Sequence, residues 1–95
     1  MAGEALHELR EKLKPGTLNK HRAIASLIEE LEAVDWYMQR MDGCDDDSLR
    51  AILAHNRDEE LEHAAMLVEW LRRNDEAFAS ELKDYVFTDK PIAHD

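Results

Sequence analysis

The chain has 95 residues, with 12 basic and 22 acidic side chains and a formal net charge of −10. This length corresponds to one small domain. The acidic balance disfavours a nucleic-acid-binding protein and binding to an anionic membrane, since both need basic surface. No apolar run approaches the roughly 18 residues that span a bilayer. The surplus of carboxylates instead suits metal cations.

The residue composition indicates an all-α protein. Three glycines, two prolines and 6% aromatic residues are typical of helices rather than of strands and turns. The single cysteine, Cys44, excludes an internal disulfide framework and a cysteine-rich zinc site, and it fits a reducing cytosol. The N-terminal segment MAGEALHELREKLK is charged where a signal peptide needs an apolar stretch, so we expect a cytoplasmic protein.

Two helices are predicted in the first part of the chain. Residues 4–14 have leucines at helical spacing and can form a short helix, which breaks at Pro15 and the glycine after it. The side-chain oxygens of Thr17 or Asn19 can cap a long helix over residues 20–41.

A second long helix is predicted after a short polar loop. Gly43 is predicted to end the first long helix in the left-handed conformation. Asp46, Asp47 or Ser48 can cap a second long helix that runs to about residue 74.

The short loop between the long helices predicts an antiparallel hairpin. We divide the chain into an N-terminal segment at 1–19, the hairpin with a short third helix at 20–87, and a tail at 88–95. The third helix is expected at 75–86. Two helices cannot cover each other's apolar stripes fully, so we expect the hairpin to dimerise into a four-helix bundle.

Two polar side chains lie within the apolar stripe of the second long helix. At about 100° per residue, His63 lies at about −60° from Glu60, and the apolar side chains of the stripe centre near −30°. These side chains are Leu49, Ile52, Leu53, Leu67, Trp70 and Leu71. A buried carboxylate is costly unless it is paired, protonated or metal-bound. Glu60 and His63 are neighbours on one surface. They form the Glu-x-x-His motif that ferritin-like di-iron bundles use.

The first long helix supplies a matching carboxylate. Glu30 lies on the flank of its apolar stripe beside Tyr37, whereas Glu29, Glu32 and Trp36 point elsewhere. Two copies of the chain would together offer four glutamates and two histidines, the ligand set of a di-iron bundle. We therefore predict a di-iron centre across a two-fold dimer interface, with half of the ligands from each chain.

Each of these features also has a plainer interpretation. Glu-x-x-His arises often by chance in Glu-rich helices, and its histidine can simply pair with its glutamate. Trp36 can be an ordinary exposed or interface aromatic. It can alternatively form, with Glu29 and Glu32, a secondary site for calcium or another divalent cation. Tyr37 can be core filling, or a hydrogen-bonding or redox neighbour of the iron.

The segments HRAIASLIEELEAVDWYMQR and ILAHNRDEELEHAAMLVEWLRRND resemble the encapsulated ferritins. These are half-length ferritin relatives packaged inside encapsulin nanocompartments, and the resemblance covers about residues 21–87. It implies ferroxidase ligands at Glu30, Glu60 and His63, with Tyr37 lining the site. The residues that this resemblance places in outer metal uptake are Glu29, Glu32 and Trp36.

The resemblance further implies a ring of dimers, commonly a homodecamer, that oxidises Fe(II) to Fe(III) with dioxygen. Iron would then be stored by the surrounding encapsulin shell, and the protein would lie within that nanocompartment. Family members usually carry a flexible C-terminal extension ending in a targeting peptide. This sequence stops at Asp95 after TDKPIAHD without one, so the encapsulin partner rests on the resemblance alone.

Two other functions remain open from the sequence. A non-catalytic helical oligomer, acting as an adaptor or cargo scaffold, would use the apolar stripes for packing and the acids for solubility. A rubrerythrin-like peroxide reductase could use the same ligand set, although the lack of a CxxC pair argues against a built-in rubredoxin-type electron donor.

Overall fold

The computed structural model describes residues 6–93. All regular structure in this range is helical. The two long helices, α1 and α2, pack as an antiparallel hairpin, and the short helix α3 contacts α2. The predicted all-α hairpin with a short third helix is confirmed. No helix within this range is both long enough and apolar enough to cross a membrane. The elements are a 3-10 turn at Arg10–Lys12, α1 at Pro15–Gly43, α2 at Asp47–Asn74 and α3 at Glu76–Tyr85.

The start of α1 differs from the prediction. The helix begins at Pro15, not at residue 20, and Lys14 precedes it in an extended conformation without a side-chain cap. Proline suits the first helical position because its missing N–H would have no partner there, and it disfavours helical backbone in the residue before it. Pro15 therefore starts the helix instead of separating two. The predicted helix over 4–14 is reduced to the turn at residues 10–12, and positions 4 and 5 lie outside the described residues.

The loop between α1 and α2 is short, as predicted, but Gly43 does not adopt the predicted left-handed conformation before it. Gly43 is instead the last residue of α1, and the backbone of Cys44, which follows it, is extended. Asp46 caps α2, because its carboxylate accepts a hydrogen bond of 2.8 Å from the Leu49 amide. The capping prediction is therefore confirmed at Asp46, one of the three residues considered.

The third helix is fixed at its start by a similar cap. Asp75 accepts a hydrogen bond of 2.8 Å from the Phe78 amide and also forms an ion pair of 3.2 Å with Lys20 of α1. The two contacts tie the corner between α2 and α3 to the first turns of α1. The described tail ends at residue 93, so positions 94 and 95 of the predicted tail lie outside the described residues.

The buried core of the described hairpin is small, and two of its four side chains are alanines: Ala23, Val34, Ala64 and Leu71. Alanines at a contact between helices let the two backbones approach closely. The apolar stripe predicted on α2 is covered only in part: Leu71 is buried, whereas Ile52 is 57% exposed. A single hairpin therefore leaves part of the stripe uncovered, as expected for two helices alone, because the seam lies to one side of that stripe. The other large apolar side chains that stay exposed on α1 and α2 include Ile24, Leu31, Met38, Leu49, Leu61, Met66 and Trp70.

Candidate metal centre

Opposite positions on the hairpin bring the two glutamates together. Glu30 lies 13 residues before the end of α1 at Gly43, and Glu60 lies 13 residues after the start of α2 at Asp47. Because both helices rise equally per residue and run antiparallel, the two side chains lie at the same height. His63 follows Glu60 by almost one helical turn on the same side of α2.

The three side chains form one compact group. Each of Glu30, Glu60 and His63 offers a ligand atom, and these atoms lie within 4.8 Å of one another. His63 Nδ1 is 3.4 Å from Glu30 Oε2 and 3.6 Å from Glu60 Oε2. Two atoms bound to the same ion at about 2.1 Å lie roughly 3.0–3.5 Å apart, so a divalent cation would need little rearrangement.

One oxygen of this group has no hydrogen-bond partner. Glu30 Oε2 is buried and accepts no hydrogen bond, although the carboxylate side chain as a whole is 24% exposed. An unsatisfied buried oxygen carries the full cost of its lost hydration. A bound cation would compensate for that cost, and the two carboxylates with one imidazole form a donor set that suits iron and other divalent transition metals.

The group lies on an open face of the hairpin. The side chains of Glu60 and His63 are 25% and 42% exposed, and exposed Leu49 and Ile52 lie farther along the same side of α2. Three ligands leave a metal ion with open positions. The remaining ligands would therefore have to come from water or from another molecule that covers this face.

The outer residues predicted for metal uptake do not join this group. Within residues 6–93, a set of three or more clustered metal-ligating side chains occurs at Glu30, Glu60 and His63 alone. Glu29 is exposed and Trp36 is 50% exposed, whereas Glu32 is half-buried.

Tyr37 is half-buried on α1 and contacts Arg40, which the sequence analysis did not single out. The Arg40 guanidinium carbon lies 5.4 Å from the centre of the Tyr37 ring, a cation–π contact. The available signal was the spacing of an aromatic residue and an arginine three positions apart on a helix. The three clustered residues themselves were all singled out from the sequence.

The EncFtn-like family profile matches residues 5–89, nearly the whole chain. The chain belongs to this family. It is 60% identical over 91 residues to the encapsulated ferritin-like protein of Rhodospirillum rubrum, covering 96% of this chain and 65% of that protein. A ferritin-like protein of Thermotoga maritima is 61% identical over 71 residues, which is 75% of this chain and 62% of the relative. The EncFtn-like chain thus spans somewhat less than two-thirds of these relatives.

Two further similarities agree with this membership. The encapsulin nanocompartment cargo protein EncC of Myxococcus xanthus is 41% identical over 66 residues, which cover 68% of this chain and 51% of that protein. A crystal structure of a Nitrosomonas europaea protein matches the EncFtn-like chain with a TM-score of 0.90 at 63% identity. That match covers 96% of this chain and 100% of the other.

Proposed function

We propose that this EncFtn-like protein is a ferroxidase that oxidises Fe(II) to Fe(III) with dioxygen. The observation that carries the proposal is the group of Glu30, Glu60 and His63, in which a buried carboxylate oxygen lacks a partner. The names of the relatives, which describe ferritin-like proteins, support iron as the substrate metal.

The donor set explains the direction of the reaction. Carboxylate oxygens are hard ligands and stabilise Fe(III) relative to Fe(II), so binding at Glu30 and Glu60 makes the bound ion easier to oxidise. The His63 imidazole suits the softer Fe(II) state and would help it to bind. Two ferrous ions held close together lose one electron each. One dioxygen molecule accepts both electrons with two protons from water, giving hydrogen peroxide.

Two ions need more ligands than one chain provides, so we propose that a second copy of the chain completes the centre. The open face around the group carries uncovered apolar side chains such as Leu49 and Ile52, and a second hairpin could cover them by packing the same face against it. This arrangement would double the ligands to four glutamates and two histidines, the di-iron set of ferritin-like bundles. By the family resemblance, such dimers would assemble into a ring, a homodecamer.

We also propose an encapsulin shell as the partner and the site of iron storage. Two relatives are named an encapsulated ferritin-like protein and an encapsulin nanocompartment cargo protein. A ferroxidase with a small open site must release its Fe(III), and a surrounding compartment would keep that product from precipitating in the cytoplasm.

The remaining predicted residues take supporting roles in this proposal. Tyr37 lines the centre, and Glu29, Glu32 and Trp36 guide cations towards it.

Stopped-flow absorbance after addition of Fe(II) in air tests the proposal. Glu60→Ala and His63→Ala should slow iron oxidation to the rate of buffer alone. Matched controls are Glu62→Ala and His55→Ala, which change an exposed carboxylate and an exposed imidazole on the same helix. Both controls should oxidise iron at the parental rate. If Glu60→Ala or His63→Ala oxidises iron as fast as the parent, the assignment is wrong.

A second measurement separates the ferroxidase from a non-catalytic scaffold. Crystals soaked in Fe(II) should show anomalous scattering at the iron absorption edge between Glu30, Glu60 and His63. A scaffold would show no peak at that position, and its oxidation rate would be insensitive to all four substitutions above.

A further inference from the structure

The loop between the two long helices is bound by an arginine from the first turn of α2. The Arg50 guanidinium donates to three oxygens: the backbone carbonyl of Met41 at 3.4 Å, the backbone carbonyl of Cys44, and the Asp47 carboxylate at 2.9 Å. The first of these carbonyls belongs to the last turn of α1, and the second belongs to the residue directly after the helix. One side chain of α2 therefore holds the C-terminal end of α1.

The contact between the Arg50 guanidinium and the two backbone carbonyls is chemically favourable for both groups. The last carbonyls of a helix have no partner within the helix and carry partial negative charge, so a guanidinium stabilises them. The planar guanidinium presents several N–H groups in fixed directions and can satisfy separate acceptors at once. The side chain is 42% exposed, and its bonds to the two carbonyls are partly shielded from water.

The relative position of the two helix ends along the hairpin axis determines the relative position of the proposed metal ligands. Glu30 and Glu60 lie opposite each other only while Gly43 and Asp47 stay level, because each glutamate is equally far from its helix end. A shift of α1 against α2 by one residue would move one glutamate by about 1.5 Å along the axis. Such a shift is large compared with the tolerance of about 0.5 Å for a preorganised site.

We infer that Arg50 is a positioning residue for the metal centre: it holds the helix ends level and thereby keeps Glu30 beside Glu60 and His63. Arg50 touches none of these three side chains, and it acts through the backbone of the loop. The inference rests on the proposed metal site for its consequence, whereas the bound loop itself is independent of any metal.

Two readouts on the full chain test the inference. The first is amide hydrogen exchange of the metal-free protein, followed on peptides that cover residues 41–50. Arg50→Gln should speed exchange in this loop about tenfold, whereas Arg50→Lys should speed it less because an ammonium can still bind one carbonyl. The matched control, Arg72→Gln, removes an arginine that pairs with exposed Glu69 on the same helix, and it should leave loop exchange at the parental rate.

The second readout is cobalt(II) titration, followed by visible absorbance. Arg50→Gln should raise the half-saturating cobalt concentration about tenfold while far-ultraviolet circular dichroism shows parental helix content. Arg72→Gln should bind as the parent does. Cys44→Ser should also bind normally, because Arg50 contacts the backbone of that residue.

The outcomes distinguish this inference from the proposed function. Parental loop exchange in Arg50→Gln would overturn the inference whatever the metal result. Faster exchange with parental cobalt binding would show that the arginine fixes the loop but does not position the ligands, and would also overturn it. If the parent protein binds no cobalt at Glu60, as judged with Glu60→Ala, the proposed ferroxidase centre is in error. Loop exchange would then still decide whether Arg50 holds the helix ends.

Discussion

Glu30 Oε2 lies 3.4 Å from His63 Nδ1, across the seam between the two long helices, and yet accepts no hydrogen bond. The oxygen is buried, so it has lost its hydration without gaining a protein donor. A site of this kind is costly in the metal-free protein and favourable once a cation binds. Stability and metal binding are therefore expected to oppose each other at this residue.

The first prediction is that Glu30→Met stabilises the metal-free protein. Methionine has a similar length and no oxygen to leave unsatisfied, so the substitution should raise stability by about 1 kcal/mol. For a domain of this size, that gain corresponds to about 5 °C in the midpoint of thermal unfolding. The measurement is thermal unfolding by circular dichroism in a chelator. The same variant should lose the stabilisation that the parent gains from cobalt.

The control for this prediction is Glu29→Met, which changes the exposed neighbour. It should leave the midpoint within about 2 °C of the parent, since surface substitutions seldom exceed 0.5 kcal/mol. A lower midpoint for metal-free Glu30→Met would mean that the Glu30 carboxylate already has a compensating partner in solution.

Helix periodicity was enough to single out the clustered side chains of Glu30, Glu60 and His63, but not to say which surface would pack against them. Glu60 and His63 stand out because polar side chains interrupt an apolar stripe at helical spacing. The same calculation places Ile52 on the apolar stripe of α2, and Ile52 is 57% exposed in one chain. An apolar stripe predicts that a surface packs against another helix, but it does not distinguish a partner helix of the same chain from one of another copy.

Helix ends were harder to predict than helix faces. Pro15 was read as a break because proline ends helices from within, whereas at the first helical position it begins them. Gly43 was expected to be left-handed, but the Cys44 amide and the Arg50 guanidinium already bind the Met41 carbonyl. The Arg50 side chain, nine residues after Met41, takes the place of the glycine cap, and no local sequence motif predicts this contact.

The second prediction concerns the cap of α2. Asp46→Ala removes the acceptor for the Leu49 amide and should lower the thermal midpoint by a few degrees. Asp46→Asn should recover most of the loss, because an asparagine oxygen can accept the same hydrogen bond. Asp45→Ala, one residue earlier in the loop, is the matched control and should leave the midpoint unchanged. Equal losses at positions 45 and 46 would argue for a general charge effect rather than a cap.

The third prediction is a loss of stability in acid that depends on Asp75. The hydrogen bond from the Phe78 amide, and then the ion pair with Lys20, hold the pKa of Asp75 below its usual value. A carboxyl with a lowered pKa in the folded state contributes stability above its unfolded pKa, near 3.9. That contribution is lost as the pH falls through the lower folded value.

Urea unfolding followed from about pH 6 downwards checks this dependence. Asp75→Asn keeps a side chain that can cap α3 but cannot titrate, so its midpoint should fall less steeply in acid than that of the parent. Its midpoint near neutral pH should be lower, because the ion pair with Lys20 is gone. Parallel pH profiles for the two proteins would assign the acid sensitivity to other carboxylates.

The fourth prediction separates the outer acidic residues from the clustered ligands. If Glu29 and Glu32 attract cations, the double substitution to glutamine should slow iron oxidation when Fe(II) is scarce and have little effect when it is saturating. Added salt should reduce the difference, since long-range attraction is screened. Stopped-flow rates over a range of iron and salt concentrations give the answer. A uniform reduction at every iron concentration would instead place these residues at the reacting centre.

The fifth prediction links metal binding to assembly. A centre that takes ligands from two chains binds metal only when the chains are together, so metal should favour the dimer over free monomers by mass action. Native mass spectrometry of the metal-free protein should show a shift to larger assemblies on addition of Fe(II) without oxygen. His63→Ala should abolish the shift, and His55→Ala, whose exposed imidazole pairs with Glu59, should preserve it. Identical distributions with and without metal, for a metal-free protein that is mainly monomeric, would count against a centre shared between two chains.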